Sequence, residues 1–280
     1  MEREMRPPRG TATLGFAFGV CSAGGMPGPI LIALLERLGM GGSAARQLLT
    51  RLRRRGWVTT ERAGRVAVYR LAGPMLRRFD SIRMGEQPAP AWHGSFWQVL
   101  YDLPESRRTE RDRLRAAAFE VGFAAPRPGV LLGFEEPAFV ADFVGLRGPD
   151  VLIETGRWAV APADAARIAE AAWQLPAYRA AADEAHARVR EQAAEASDGW
   201  AALRALHDAF ELAVPVWLTL PRVPTELIEH DLGAGRLSRE VTAISARLGP
   251  TIIGSLEPWL AGHELAGLLD QVPSEEGQRW

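Results

Sequence analysis

Four residues, Gly39-Met40-Gly41-Gly42, separate two amphipathic segments. Before them, Ile30, Leu31, Leu34, Leu35 and Leu38 recur at helical spacing over Ile30–Leu38. After them, Ala45, Leu48, Leu49 and Leu52 form a second apolar stripe, and a helix is expected to run to about Arg55 with Ser43 as its N-cap. So short a glycine turn allows two helices to meet only as a tight helix-turn-helix pair.

The neighbouring residues extend that pair. Thr13–Ala23 reads as a preceding helix, which Gly24-Gly25-Met26-Pro27-Gly28-Pro29 breaks, and Pro29 suits the first turn of the next one. Gly56 stops the third helix. Trp57–Glu61 and Val66–Leu71 then read as two strands joined by Arg62-Ala63-Gly64-Arg65. Helix, helix, turn, helix, hairpin is the order of a winged helix-turn-helix.

Charge separates this head from the rest. The net charge of −1 comes from 33 arginines, no lysine and 34 acids. Residues 1–83 carry 15 of the arginines and only 5 acids; the remainder carries 18 arginines and 29 acids. The absence of lysine reads as codon bias. A basic head on an acidic body points to a polyanion partner for the head alone. The single cysteine, Cys21, excludes an intrachain disulfide and fits a reducing, cytoplasmic location. The apolar run after Arg3, Arg6 and Arg9 imitates a signal peptide, but Glu2 and Glu4 dilute its charge. No stretch approaches the ~20 apolar residues of a membrane span.

Length and composition imply two or three domains. The reading is an α+β multidomain protein with three parts. Residues 11–85 are the winged head and its linking helix, Pro74–Gly85. The proline-rich Glu86–Ala91 is a linker. Residues 92–160 alternate strands (Trp97–Leu103, Val130–Phe134, Val151–Glu154) with helices (Thr109–Val121, Pro137–Val144), as a small α/β or ferredoxin-like domain does. Residues 161–280 are mainly helical and alanine-rich: Ala163–Leu175, Pro176–Ala194, Trp200–Ala213, Thr225–His230, Ser238–Leu248 and a last helix near His263–Gln271.

With its leucines inward, the third head helix presents Ser43, Arg46, Gln47, Thr50, Arg51, Arg53 and Arg54 outward. Arginine bonds a guanine edge in two places and glutamine does so with adenine. Arg46, Gln47, Thr50 and Arg51 are the candidate base readers. Ser43, Arg53 and Arg54, with Arg62 and Arg65 at the hairpin tip, are the candidate phosphate contacts.

Several stretches resemble the PaaX family, repressors of aromatic-acid catabolism with a GntR-like winged helix. They are Ser43-Ala-Ala-Arg-Gln-Leu-Leu-Thr-Arg-Leu-Arg-Arg-Arg-Gly-Trp-Val58, Glu61-Arg-Ala-Gly-Arg-Val-Ala-Val-Tyr-Arg-Leu71, Trp92-His-Gly-Ser-Phe-Trp97 and Leu100-Tyr-Asp-Leu-Pro-Glu-Ser-Arg107. Residues 40–135 carry most of the resemblance, and Leu220–Leu227 continues it loosely. The chain departs from the family pattern at Gly19-Val-Cys21, at Val66-Ala67 in the wing, and at Ala213–Pro221. The resemblance implies a winged head, a ferredoxin-like middle, and a helical C-terminal domain for ligand binding and dimerisation. It also implies a homodimeric repressor of a double-stranded DNA operator, released by a small-molecule effector of the aryl- or acyl-CoA class. Arg157 with Trp158, and Trp217 with Arg222, are the candidate effector contacts.

The family's middle domain is similar to a small endoribonuclease fold in which an aspartate ends the first strand, and Asp102 sits at that place. The alternatives are therefore a metal-dependent nuclease centred on Asp102, or a family scaffold reused as an enzyme. A lone carboxylate before Pro104 reads more simply as a turn residue. The five histidines lack zinc spacing. No nucleophile elbow, phosphate loop or dinucleotide fingerprint is present. No residue is assigned a catalytic, metal or cofactor role.

Overall fold

A computed structural model of the chain describes residues 10–83, 88–146, 148–192 and 198–271. It is a mixed α/β structure whose described strands make two four-stranded antiparallel sheets. Two compact units result: Gln87–Ala181 with Thr219–Leu232, and Glu2–Glu86 with Ala182–Leu218 and Gly233–Trp280.

The latter unit starts with helix α1 (Thr11–Val20), whose Leu14, Ala17 and Phe18 are almost fully enclosed. Next come strand β1 (Ala23–Pro27), α2 (Gly28–Arg37), α3 (Gly42–Arg54), β2 (Val58–Ala63), β3 (Val66–Leu71) and α4 (Gly73–Arg83). The glycine-rich break expected after α1 is thus a strand. It has no β-branched residue and exists through its partners: Met26 faces Tyr69 and Pro27 faces Val68 across the ladder. The hairpin turns at Gly64-Arg65. Gly64 holds φ +63°, which a glycine at the first position of a two-residue hairpin turn adopts without strain.

The other unit is built on β4 (Ser95–Asp102), α5 (Arg108–Glu120), β5 (Ala124–Arg127), β6 (Val130–Gly133) and β7 (Leu152–Ala159). Its strands lie in the order β5-β6-β4-β7, all neighbours antiparallel. One sheet face packs Val99, Tyr101, Leu131 and Ile153 on Leu114 and Ala118 of α5, with Val140 and Phe143 from a 3-10 segment, Ala138–Leu146. That segment stands where an α-helix over Pro137–Val144 is expected. The opposite face carries Phe96 at the centre of an aromatic cluster. Trp92, Phe134, Trp158 and Trp173 lie with ring centroids 4.9–6.2 Å from it. Trp173 follows α6 (Pro162–Ala172) and donates its indole N–H to the Gly122 carbonyl at 3.0 Å. β5 is a strand that the sequence pattern hides behind Pro126.

Helix α7 spans Leu175–Gln192, α8 Gly199–Leu218 and α9 Ala234–Ala261. Gly199 lies against Ser255 and Thr251, so α8 and α9 run antiparallel. Both exceed the expected lengths because they continue through prolines: Pro215 in α8, Pro250 and Pro258 in α9. Each proline removes one backbone donor, and the buried residues on either side (Ala213 and Val216; Leu248, Ile252, Leu256 and Leu260) keep the helices continuous. The expected Thr225–His230 helix is one 3-10 turn, Thr225–Leu227. The expected final helix is a 3-10 turn, Ala266–Leu268, followed by β8 (Asp270–Gln271). β8 pairs with β1, completing the order β2-β3-β1-β8.

Helix α1 is held to α8 by more than apolar contact. Phe16 meets His207 edge-on with centroids 5.3 Å apart, and Thr13 Oγ1 donates to Glu211 Oε1 at 2.8 Å. His207 Nε2 lies 3.5 Å from the same oxygen. His207, then Thr13, holds the Glu211 carboxyl below the usual carboxylate range, against the opposing effect of burial. A carboxyl depressed in the fold gives stability that is complete above its ordinary range and is lost as pH falls through the depressed value. Glu211→Gln should therefore flatten the acid limb of urea-unfolding stability against pH, by less than about 1 kcal/mol because the group is partly solvated. A limb unchanged in the variant would show that the Thr13–Glu211 contact carries none of it.

Candidate nucleic-acid interface

Helix α3 is oriented by its apolar stripe. Ala45, Leu48, Leu49 and Leu52 are at most 2% exposed, so the remaining faces must point to water. Ser43, Arg46, Gln47, Thr50, Arg51, Arg53 and Arg54 are all exposed there, as is Arg55 just beyond the helix. A shallow open depression on that surface is lined by Arg46, Gln47, Thr50, Arg51, Arg54 and Arg55. Arg55 is the member that sequence reasoning passed over. The expected helix reaches about Arg55, one turn after Arg51, but the sequence reading gave this residue no contact role.

The ends of α3 differ from expectation at one point. Ser43 is not the N-cap. Gly41 occupies that position with φ −61° and ψ 143°, and no side chain caps the helix. Ser43 instead lies one residue inside, exposed, with its hydroxyl uncommitted among the described residues. At the other end Gly56 takes φ +69°, the left-handed stop that ends helices. Arg51, Arg53 and Arg54 stand in the last turn, where the helix dipole favours positive charge.

The head's arginines fall into two sets. Several are engaged within the fold, Arg83 with Asp80 at 4.0 Å among them. Arg37 lies 3.9 Å from the ring centroid of Trp200, Arg78 lies 5.1 Å over Trp57, and Arg70 bonds Asp270 at 2.6 Å and Glu61 at 3.8 Å. The others on α3 and the hairpin are turned to solvent. Among the described residues, no carboxylate lies within ion-pair distance of Arg46, Arg51, Arg53, Arg54, Arg55, Arg62 or Arg65. Arg62 and Arg65 flank the exposed hairpin tip at Gly64. Five guanidinium groups over the ten residues Arg46–Arg55 repel one another, and an anionic ligand would relieve that repulsion.

The candidate effector contacts are less concentrated. Arg157 and Trp158 are consecutive on β7, so their side chains leave opposite faces of the sheet. Arg157 donates to Ser95 Oγ at 2.9 Å and lies 5.5 Å from the Trp97 ring, while Trp158 joins the Phe96 cluster. Trp217 packs edge-on against Phe210, and its buried indole nitrogen has no hydrogen-bond partner among the described residues. Arg222 pairs with Glu135 at 3.5 Å through Nη2, while its Nε is buried with no hydrogen-bond partner among the described residues. Trp217 and Arg222 belong to different units. Asp102 ends β4 opposite Leu152 and is exposed. Among the described residues, no three histidine, cysteine, aspartate or glutamate side chains gather where they could hold a metal ion. No described helix is long and apolar enough to cross a membrane.

Comparison with known proteins adds to this geometry. Residues 16–75 match the family of PaaX-like proteins, a span that runs from α1 into α4. The chain is 33% identical over 103 residues to the transcriptional repressor PaaX of Escherichia coli strain K12. That alignment covers 36% of this chain and 32% of the repressor, so it spans about a third of the curated relative's length. A solved structure, the uncharacterised protein Rv0674 from Mycobacterium tuberculosis, is similar in fold. It shares 24% identity with a TM-score of 0.50, over 86% of this chain and 97% of that one.

The cap geometry makes a simple forecast. A serine N-cap loses about 1 kcal/mol on truncation to alanine. Ser43→Ala should change the chain's unfolding free energy by less than about 0.5 kcal/mol. A loss near the larger figure in denaturant titration would return Ser43 to a capping role.

Proposed function

We propose that this chain is a transcriptional regulator of the PaaX family, acting as a repressor that binds double-stranded operator DNA through α3 and the β2–β3 hairpin. The observation that carries this reading is the outer surface of α3, where arginine, glutamine and threonine share one exposed face with no acid of the described residues within ion-pair distance. The match of residues 16–75 to PaaX-like proteins and the likeness to a named repressor support it. The order α1, β1, α2, α3, β2, β3 supports reading residues 11–85 as a winged helix-turn-helix. The strand order β5-β6-β4-β7, with α5 between the first two strands in sequence, supports a ferredoxin-like reading of residues 92–160. Residues 161–280 are then the helical part that binds a small-molecule effector, of acyl-CoA class, and takes part in dimerisation.

In this reading α3 enters the major groove. Arg46, Gln47, Thr50 and Arg51 face base edges, while Ser43, Arg53, Arg54, Arg62 and Arg65 contact phosphates, joined by Arg55. Two heads of a homodimer bind the two halves of a palindromic operator. The effector, by binding one arrangement of the dimer more tightly than the other, shifts it away from the form that spans both half-sites.

Salt and substitution test the assignment together. Contact with ~6 phosphates should weaken operator binding roughly a thousandfold between 50 and 200 mM salt. Arg46→Ala should cost about 1–3 kcal/mol on the cognate site and relax selectivity at one base pair, whereas Arg53→Ala should weaken all sequences alike and reduce the salt slope by about one. These are read by titrating operator and mutated-operator duplexes at two salt concentrations. Equal effects of both substitutions on every sequence would refute the base-reading role of α3.

A further inference from the structure

The basic head keeps one acid where a surface for polyanions has least use for it. Glu36 is the only acidic residue between Glu4 and Glu61. It is exposed in the last turn of α2. The turn behind it is hydrogen bonded at both levels: the Glu36 carbonyl accepts from the Gly39 N–H at 3.0 Å, and the Met40 N–H donates to the Leu35 carbonyl at 2.9 Å. Gly39 takes φ +93°, so α2 stops there and the chain turns directly into α3.

That turn brings the Glu36 carboxylate to Gly42, the first residue of α3. A Cβ on Gly42 would overlap Glu36 Oε1, and Arg46 Nη1 lies 3.5 Å from the same point. Gly42 and Arg46 are one helical turn apart, and side chains on a helix lean toward its N-terminus, so Arg46 reaches back across the space that the glycine leaves. Gly42 lies within the helix and its φ is not positive, so its position calls for the space and not for a special backbone angle. A missing side chain thus admits a carboxylate and a guanidinium to one notch.

We infer that Glu36 is a positioning residue for base reading, bracing the Arg46 guanidinium from behind as Arg46 forks onto a guanine edge. The inference rests on α3 as the base-reading helix in the functional reading above. A guanidinium carries five N–H donors. Guanine takes two, through O6 and N7, and the rest remain for a carboxylate. Arg46 has no ion pair among the described residues, and Glu36 is the acid placed beside it to supply one. The acid repels the phosphates of every sequence alike, but it holds the fork in one direction, which helps only where a guanine stands. An unbraced arginine turns among bases and phosphates and discriminates less.

Two substitutions in the full chain separate the charge of Glu36 from its contact. Each is titrated with operator duplex, with duplexes altered at the base pair where Arg46→Ala relaxes selectivity, and with unrelated duplex DNA. Glu36→Ala removes the acid. It should lower discrimination at that base pair by about tenfold and tighten binding to unrelated DNA severalfold. Gly42→Ala keeps the acid but drives its carboxylate out of the notch. It should lower the same discrimination without tightening binding to unrelated DNA. With Arg46→Ala already present, Glu36→Ala should leave discrimination where Arg46→Ala alone puts it. Glu36 is exposed and alanine suits a helix, so denaturant unfolding of both variants should show no loss of stability. Discrimination unchanged in both variants, with Arg46→Ala still acting at one base pair, overturns the brace and leaves the base-reading helix standing. Equal weakening on all sequences by Glu36→Ala overturns it in favour of a structural role in the turn. An Arg46→Ala chain that loses no selectivity at any base pair refutes base reading by Arg46, and the brace with it.

Discussion

Burial of three leucines on α3 is the constraint from which the basic surface follows. Leu48, Leu49 and Leu52 are enclosed, and opening one to water costs about 1.5–3 kcal/mol. That cost fixes the rotation of the helix about its own axis. Once the leucines are inside, 3.6 residues per turn leave Arg46, Gln47, Thr50, Arg51 and Arg54 no direction but outward. No acidic residue occurs anywhere in α3, so the exposed face carries its charge without internal compensation. The basic surface is thus a by-product of core packing, and its precision is that of the core.

Much of this was legible in the sequence because it is written in periods. The stripes of α2 and α3 repeat at helical spacing, and the hairpin alternates around a glycine. The unreadable elements are those whose cause lies far away along the chain. β1 contains three residues with weak strand preference, Ala23, Gly24 and Gly25, and is a strand because β3 and β8 hold it on both sides. The C-terminal segment that resembles a helix instead supplies β8. Prolines 215, 250 and 258 look like helix ends, yet the flanking apolar contacts carry α8 and α9 through them. At the candidate interface, the outward arginines of α3 follow from local spacing. The diversion of Arg37, Arg70 and Arg78 into internal contacts does not, since it depends on Trp200, Asp270 and Trp57.

This sorting of arginines changes how the charge asymmetry is understood. The excess of positive charge over residues 1–83 is an upper bound on what a ligand meets, because part of it is consumed inside the fold. Arg37 lies 3.9 Å from the Trp200 ring centroid and 5.4 Å from that of Trp259, and Arg204 donates to its backbone carbonyl. Arg37 closes α2, so the helix-turn-helix pair is anchored at its base to α8 and α9 while its outer helix stays free for contact.

Arg70 ties a longer knot. It follows Tyr69, which faces Met26 on β1, and the neighbouring Gly25 stands in register with Asp270 on β8. Gly25 has no side chain, and the space a Cβ would occupy lies 3.1 Å from the Arg70 guanidinium carbon, so the arginine crosses β1 and reaches the carboxylate beyond it. Two hundred positions separate the partners. On the ribosome, then, the helices of the head can form early, but their sheet must wait with one open edge until those two hundred residues have been made. The basic head is thus begun well before the residues that close its sheet exist, so its folding spans the two hundred positions between Arg70 and Asp270.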